Sequence, residues 1–270
     1  MSGPDHYSAV WHHRTPRARL FLWMGWLALV ALFVWCWQLM TAETIWSFVT
    51  DAPRQARDIG GRMVPPEWAY LPELMIPLWD TINIATLGTI GGVIMAVPVA
   101  FFAARNTTPS AAILRPAALF VIVASRSINS LIWALLLVAI IGPGLLAGIV
   151  AIALRSIGFI GKLLYEAIEE TDSRQIEAVE ATGASGAQVL TYGIVPQVMP
   201  AFWAITIFRW DINIRESTIL GLVGAGGIGL KLNASINTLA WDQVTVILLL
   251  ILGTVVVSEW VSARMRHAII

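Results

Sequence analysis

The sequence predicts an all-α protein, a polytopic membrane helix bundle with about six transmembrane helices. Of its 270 residues, 57% are hydrophobic and 13% are charged, whereas ordinary soluble domains contain about 25% charged residues. Apolar stretches of about 20 residues recur along the chain, and each can cross about 30 Å of hydrocarbon as a helix. The 13 tryptophans lie mostly near the ends of these stretches, where their amphipathic rings favour the membrane interface.

Six apolar stretches provide the predicted membrane helices. Their approximate bounds are 20–40, 76–104, 116–141, 145–165, 198–220 and 244–261. The first is longer than the roughly 7 to 15 apolar residues of a cleavable signal sequence, and no clear small-x-small cleavage site follows it. We therefore expect it to remain as a membrane helix.

The distribution of arginine and lysine predicts the orientation of the chain. With the amino terminus inside, the inner connections receive nine of these residues and the outer connections receive four. Cytoplasmic connections of membrane proteins are enriched in arginine and lysine. We therefore expect both termini to lie in the cytoplasm of a bacterial cell, as an even number of spans requires.

Two connections are long enough to form structure of their own. The outer one, 41–72, mixes apolar and charged residues and predicts an amphipathic surface segment. The inner one, 166–197, contains the most informative local pattern. We divide the chain into residues 1–75, with a polar tail, the first membrane helix and the amphipathic segment, and a helical core, 76–270, that includes 166–197.

The inner connection predicts two short helices separated by a hinge. Good helix formers extend from Glu177 to Thr182 and end at Gly183, a residue suited to a left-handed helix cap. Ser185 can cap a second short helix, and Pro196 ends the connection before the next membrane span. Such an element, projecting from the membrane, is a suitable handle for another protein.

This segment resembles the coupling motif of ABC importer permeases. The motif reads Glu-Ala-Ala, then Gly, then Ile-x-Leu-Pro, and Glu177, Gly183 and Pro196 match it here, as does the first alanine. Gly193 replaces the isoleucine, and we expect this change to loosen the packing of the second short helix. In the family the segment docks into a cleft of the ATPase subunit. The resemblance implies ATPase coupling through Glu177, Ala178, Glu180, Ala181, Gly183, Ala184 and Pro196.

A second resemblance, to phosphonate importer permeases, covers residues 183–230. It depends on three stretches, GIVPQVMP at 193–200, FRWDINIR at 208–215 and GLVGAGGIG at 221–229. Permeases for phosphite and hypophosphite share these features, so the sequence does not separate the substrates. The resemblance implies a type I ABC importer permease fold and import of a phosphorus oxyanion across the bacterial inner membrane.

The same resemblance implies a set of partners. Such a permease works in membrane lipid as a homodimer or beside a similar permease. Two ABC ATPase subunits, which bind ATP and Mg²⁺, would attach inside, and a periplasmic substrate-binding protein would deliver the substrate. The chain has no GxxxxGK[ST] phosphate-binding loop, so we expect no enzyme activity, cofactor or metal in this subunit.

Ionised side chains within the predicted spans indicate either a polar passage or buried ion pairs. Each costs about 2.5 to 3.5 kcal/mol at mid-bilayer, so such groups should face protein or water. Arg209, Asn213 and Glu216 share one face of the fifth span at helical spacing. Asp211 and Arg215 share roughly the opposite face. We therefore expect this helix to be surrounded by protein.

The arginines of these spans have two open roles. A guanidinium offers forked donors that match phosphoryl oxygens, which suits an oxyanion path. Alternatively, the arginines pair with acidic side chains and set the packing of the bundle. The third span adds a polar strip at Arg126, and the fourth adds Arg155 and Ser156. The hypothetical path comprises Arg126, Asn129, Arg209, Asn213, Arg215 and Glu216.

Glycines cluster after the fifth span. Gly224, Gly226 and Gly229 fit the pattern GxGxxG, but that fingerprint signifies dinucleotide binding only between a strand and a helix. Membrane helices flank it here. We instead expect a loop at the outer mouth of the path, where backbones pack closely. Its glycines are Gly224, Gly226, Gly227 and Gly229.

Two other function classes compete with the importer permease. A stand-alone secondary transporter or channel for a small anion could relay protons through Asp211 and Glu216, but it does not need the element within 166–197. A membrane enzyme is disfavoured because the sequence shows no His or Cys cluster, metal-ligand spacing or nucleophile elbow. The net charge of zero gives no electrostatic reason to expect a nucleic-acid partner.

Overall fold

The structure, a computed structural model, describes residues 16–269. These residues form helices joined by turns, with no strand among them. Residues 1–15, which include the predicted polar tail, lie outside the described residues. The helices are α1 (Pro16–Thr41), α2 (Trp46–Arg62), α3 (Leu71–Ala103), α4 (Leu114–Ser127), α5 (Ser130–Ile141), α6 (Leu145–Glu169), α7 (Ser173–Glu180), α8 (Gly186–Gln188), a π-helix (Val189–Ile194), α9 (Val195–Leu220), α10 (Ile228–Asn237) and α11 (Trp241–Ile269).

The membrane-spanning elements agree with the predicted bundle of about six spans. Five described segments are long and apolar enough to cross a membrane, or six if the bent pair of α4 and α5 counts as one span. α3, α6, α9 and α11 each extend beyond the predicted apolar stretch. A helix continues past the hydrocarbon because its backbone hydrogen bonds do not depend on apolar side chains.

The third predicted span, 116–141, is wrong as a single helix. α4 ends at Ser127, α5 begins at Ser130, and the two helices are bent by 89°. The side chain of Asn129 accepts a hydrogen bond from the backbone N–H of Leu131, at 3.1 Å. Asparagine competes in this way with helical backbone bonds and caps new helices, so α5 starts in a new direction.

The described chain forms two compact units. The first ends at Asp58 and contains α1 and most of α2, and the second begins at Ile59. α2 lies within the predicted segment 41–72 and separates apolar from polar residues on its two faces, as an amphipathic helix does.

The centre of the second unit is formed by α3, α6 and α9, with α4 and α5 packed on α6 and α11 packed on α9. Gly88 and Gly92 of α3 lie against α6. A Cβ at Gly88 would come within 2.7 Å of Ile152, and one at Gly92 within 2.5 Å of Ser156. Small residues allow membrane helices to approach this closely.

Contacts between connections define two ends of the second unit. At one end, the backbone N–H of Gly144 donates to the carbonyl of Gly224, at 3.0 Å. At the other end, Asn106 Nδ2 donates to the carbonyl of Ile168, at 2.6 Å. The glycine-rich turn after α9 therefore lies at one end of the unit, and the connection between α6 and α9 lies at the opposite end.

Candidate translocation path and coupling segment

The connection between α6 and α9 forms the predicted helix, hinge and second helix, and we call it the coupling segment (166–197). Asp172 caps α7 by accepting from the backbone N–H of Arg174, at 2.9 Å. Gly183 follows with a φ of 81°, in the left-handed region that favours glycine. Gln188 Oε1 accepts from the backbone N–H and the hydroxyl of Ser185, at 2.8 and 3.0 Å, where α8 begins.

Hydrogen bonds join the base of the coupling segment to α9. Gln197 Oε1 accepts from the backbone N–H of Asp172, at 2.9 Å, and Gln197 Nε2 donates to the carbonyl of Gly193, at 2.7 Å. The start of α7 and the π-helix are therefore both connected to α9 through Gln197. Gly193 is buried, and a Cβ there would meet the Cα of Ile176 on α7 at 3.6 Å, an ordinary contact. The expected loosening at Gly193 stays a prediction.

The hinge of the coupling segment presents an open surface. The predicted coupling residues Glu177, Ala178, Glu180, Ala181, Gly183 and Pro196 are exposed, and Ala184 is half-buried. An open cavity of about 570 Å³ lies beside the hinge, lined by Ala178, Val179, Thr182, Gly183, Ala184, Gln188 and Tyr192. Since the hinge is not buried among the described helices, it is accessible to another protein.

Three charged residues on α6 and α9 form a connected cluster, which we call the charge cluster: Arg155, Arg209 and Glu216. Arg209 Nη2 lies 3.3 Å from Glu216 Oε2, and Arg155 Nε lies 3.4 Å from Glu216 Oε1. Arg209 Nε also donates to the hydroxyl of Ser156, at 3.1 Å, and its guanidinium lies 5.2 Å from the ring centre of Phe159. One carboxylate thus serves two arginines, which leaves excess positive charge.

The opposite face of α9 contains a second ion pair. Arg215 donates to Asp211, and Ser258 of α11 donates to the other carboxylate oxygen of Asp211, at 2.8 Å. Asn213 Nδ2 donates to the hydroxyl of Thr89 on α3, at 2.7 Å. Asp211 and Asn213 are buried. Asp211 and Asn213 therefore find partners on two neighbouring helices. However, α9 also exposes large apolar side chains such as Trp203 and Phe208, so it is only partly surrounded by the described helices.

An open cavity of about 420 Å³ lies at the bend between α4 and α5, and we call it the break cavity. It is lined by Asn129, Ser130, Leu131, Ile132, Glu216, Ile219 and Leu220. Arg126 lies just before the bend, is exposed, and has no hydrogen bond or ion pair with the described residues. Irregular backbone at membrane depth is tolerated where it lines a cavity, and discontinuous helices form binding sites in transporters.

The six hypothetical path residues therefore lie in different surroundings. Asn129 and Glu216 line the break cavity, and Arg126 lies on the last turn of α4 with its Cγ against Gly158 of α6. Arg209 and Asn213 are held in contacts between helices, whereas Arg215 pairs with Asp211 on its own helix. Sequence reasoning treated all six alike because helical spacing gives the face of a residue, but not the helix that the face contacts.

Arg155 is a functional candidate that the predicted path omitted. Its Nη1 donates to the carbonyl of Ile128, at 3.1 Å, which is one of the carbonyls freed at the end of α4. The signal available in the sequence was an arginine inside an apolar span. Its partners, Ile128 and Glu216, belong to other helices, so their proximity became visible only in the folded chain.

The glycine loop packs tightly at the end of the unit opposite the coupling segment. Gly224, Gly226 and Gly227 have φ values of 89°, 82° and 74°, which only glycine adopts readily. A Cβ at Gly229 would lie 2.0 Å from the carbonyl oxygen of Thr218. The close backbone packing expected of this loop is confirmed, and its place at the outer mouth stays a prediction.

Comparison with curated relatives identifies proteins similar along most of the chain. The phosphite transport system permease protein PtxC of Stutzerimonas stutzeri is 38% identical over 237 residues, which cover 88% of this chain and 84% of the relative. The putative phosphite transport system permease protein HtxC of the same organism is 36% identical and covers 84% of this chain and 76% of the relative. The phosphate-import permease protein PhnE of Mycolicibacterium smegmatis is 39% identical over 77% of this chain, but that match covers 39% of the relative.

Solved structures share the fold. A chain of the MetNI methionine ABC transporter in an inward-facing conformation has a TM-score of 0.66 at 21% identity, over 76% of this chain and 99% of that chain. A chain of a bacterial ABC transporter for alginate import has a TM-score of 0.58 at 14% identity, over 91% of this chain and 99% of that chain. Residues 96–267 match the family model described as binding-protein-dependent transport system inner membrane component. That range includes the coupling segment, the charge cluster and the glycine loop, and the chain therefore belongs to this family of inner-membrane transport proteins.

Proposed function

We propose that this chain is the membrane-spanning subunit of an ATP-driven importer that moves phosphite, a phosphonate or a related phosphorus oxyanion across the bacterial inner membrane. The observation that supports this most directly is the excess positive charge of the charge cluster beside the break cavity. An anion in a membrane needs such a positive environment. The relatives PtxC and HtxC are named as phosphite permeases.

The energy would come from separate subunits. Two ABC ATPases, which hold ATP and Mg²⁺, would grip the exposed hinge around Gly183 from the cytoplasm, where both termini of this chain would lie. A second copy of the chain, or a similar permease, would complete the path. A periplasmic binding protein would deliver substrate at the end with the glycine loop. Closure of the ATPases would move α9 through the hydrogen bonds of Gln197 and open the outer mouth.

The alternative of a stand-alone secondary transporter or channel has less support. Asp211 and Glu216, the acidic residues that could relay protons, are both engaged by arginines. The coupling segment also presents an exposed hinge, for which a carrier working alone has no use. Neither feature suits proton-driven transport by one chain.

Reconstitution in liposomes tests the proposal. The chain is assembled with its ATPase and binding protein, and uptake of labelled phosphite and methylphosphonate is measured with and without internal ATP. We expect uptake that requires ATP, the ATPase and the binding protein together. Equal uptake by liposomes that contain this chain alone would refute the importer and favour the secondary transporter. ATP-dependent complexes that take up neither anion would refute the substrate class.

A further inference from the structure

The two arginines of the charge cluster differ in how firmly they are held. The side chain of Arg209 is 3% exposed and is fixed by Glu216, Ser156 and the ring of Phe159. The side chain of Arg155 is 27% exposed. Its contact with Glu216 involves only Nε at 3.4 Å, which is long for a charge-assisted hydrogen bond. Arg209 is therefore more deeply buried than Arg155 and is held by more contacts.

Arg155 also retains unused hydrogen-bonding capacity. Its Nη1 donates to the carbonyl of Ile128, and Nε faces Glu216. No described residue accepts a hydrogen bond from its Nη2. A guanidinium has five N–H donors in a fixed fork, so the forked edge that suits a tetrahedral oxyanion is only partly occupied.

Glu216 is placed to compete with an incoming anion. It lines the break cavity, its side chain is 18% exposed, and it already holds Arg209 through a second oxygen at 3.3 Å. It can therefore release Arg155 and keep its partner on α9. Arg155 does not itself line the cavity, but it contacts Glu216, which does, and Ile128, which precedes the lining residue Asn129. The cavity of about 420 Å³ has room for an oxyanion with several waters, since liquid water occupies about 30 Å³ per molecule.

The charge balance favours this exchange. Arg155 and Arg209 contribute two positive charges, Glu216 contributes one negative charge, and no other described carboxylate lies within ion-pair distance of either arginine. The cluster therefore has a net charge of +1 without substrate. A singly charged oxyanion bound to Arg155 makes the site neutral, with Glu216 left on Arg209.

We propose that Arg155 is the residue that binds the passing oxyanion, and that Glu216 is a displaceable internal counter-ion that occupies Arg155 when substrate is absent. This inference rests on the proposed function, and it adds a regulatory step at the same site. Return of Glu216 to Arg155 weakens the hold on substrate and releases it. The site therefore binds its anion weakly, because the Glu216 carboxylate competes for Arg155. Weak binding allows the anion to leave the translocation path.

Direct binding separates this role from delivery by the binding protein. The permease with its ATPase is placed in nanodiscs without binding protein, and binding of labelled methylphosphonate is measured at equilibrium. Glu216→Gln removes the competing charge and is expected to tighten binding about tenfold, while slowing ATP-dependent uptake because release is slower. Arg155→Lys keeps the charge but loses the fork, and is expected to weaken binding at least tenfold.

Lys162→Gln provides the matched control. Lys162 lies on α6, two turns from Arg155, and forms a half-exposed ion pair with Glu166. The Lys162→Gln variant should bind methylphosphonate as tightly as the wild type does. Each variant is first checked for assembly by size-exclusion chromatography, and the pair of opposite shifts cannot arise from misfolding alone.

Each outcome supports or overturns the proposal. It is overturned if Glu216→Gln binds no more tightly than the wild type, including the case in which neither binds, or if Arg155→Lys binds as well as the wild type. If liposomes that contain the wild-type importer still took up methylphosphonate with ATP, the proposed importer function would be retained. Absence of that uptake would instead refute the function itself.

Discussion

α4 and α6 pack tightly at Gly158, close to the bend that precedes the break cavity, and this contact can be tested by adding one methyl group. In Gly158→Ala, the new Cβ would lie 2.6 Å from the carbonyl oxygen of Ile122 and 2.5 Å from Cγ of Arg126. The backbone contact must open to about 3.4 Å, the lower limit of ordinary contact. The shift also strains the hydrogen bond from the Gly158 N–H to the hydroxyl of Ser125, at 2.9 Å.

The expected magnitude follows from three terms. Overpacking costs about 1 to 3 kcal/mol, and a weakened hydrogen bond costs about 1 kcal/mol. Replacing glycine with alanine inside a helix stabilises the helix by about 1 kcal/mol. Gly158→Ala should therefore destabilise the protein by about 1 to 3 kcal/mol. Gly91→Ala on α3 is the control, because its Cβ would meet Ala153 at 3.4 Å, an ordinary contact, so it should gain up to about 1 kcal/mol.

Thermal unfolding of both purified variants in one detergent, followed by tryptophan fluorescence, measures the difference. At roughly 2 to 4 °C per kcal/mol, Gly158→Ala should unfold at least about 2 °C below Gly91→Ala. It should also lower ATP-dependent uptake per assembled complex, since α4 ends two residues before Asn129, which lines the break cavity. Equal midpoints, or a higher midpoint for Gly158→Ala, would refute the tight contact.

Three further predictions follow from single contacts. Arg209→Met removes a buried ion pair and should destabilise the protein by about 3 kcal/mol, so the yield of assembled complex on size-exclusion chromatography should fall together with uptake. Gly183→Ala places a side chain at a φ of 81°, which costs about 1 kcal/mol, and it should lower the number of anions taken up per ATP hydrolysed. Gly186→Ala, with open space around its Cβ, should leave that ratio unchanged. Thr81→Val removes the acceptor of the first N–H of α10, at 2.8 Å, and should lower the free energy of unfolding by about 1 to 3 kcal/mol, with a matching fall in the thermal midpoint. Thr254→Val loses only a bond to its own helix and should change the midpoint little.

Different results would contradict these predictions. Normal assembly of Arg209→Met with loss of uptake would give that residue a role in the path. Equal coupling ratios for Gly183→Ala and Gly186→Ala would mean that the hinge conformation is not needed. An unchanged midpoint for Thr81→Val would mean that its hydroxyl does not hold the start of α10 in place.

The coupling segment shows which structural features can be predicted from neighbouring residues in the sequence. Its hinge at Gly183 and its cap at Ser185 depend on neighbours within a few residues along the chain, so both could be predicted. Gly193 could not, because the space that it fills is bounded by Ile176 on another helix. The neighbours of a buried residue such as Gly193 are therefore visible only in the folded chain.

The charge cluster shows more clearly which contacts could not be predicted from the sequence. Spacing along α9 placed Arg209 and Glu216 on one face, and the structure confirms that they pair. The same reasoning did not connect Arg155 to Glu216, which lies 61 positions further along the chain. It also did not reveal the bend at Asn129, because the polar residues within SRSINS at 125–130 were interpreted as one face of a continuous helix.

The sequence by itself determined that the chain consists of membrane helices, where most of them lie, and which segment projects toward a partner. Those properties follow from hydropathy, helix caps and local motifs, which act between residues close in the chain. Only the tertiary structure decided which charged residues brace the bundle and which border a cavity. That distinction depends on which helices meet, because a charge in a membrane is stabilised by whatever partner the fold brings within a few ångströms.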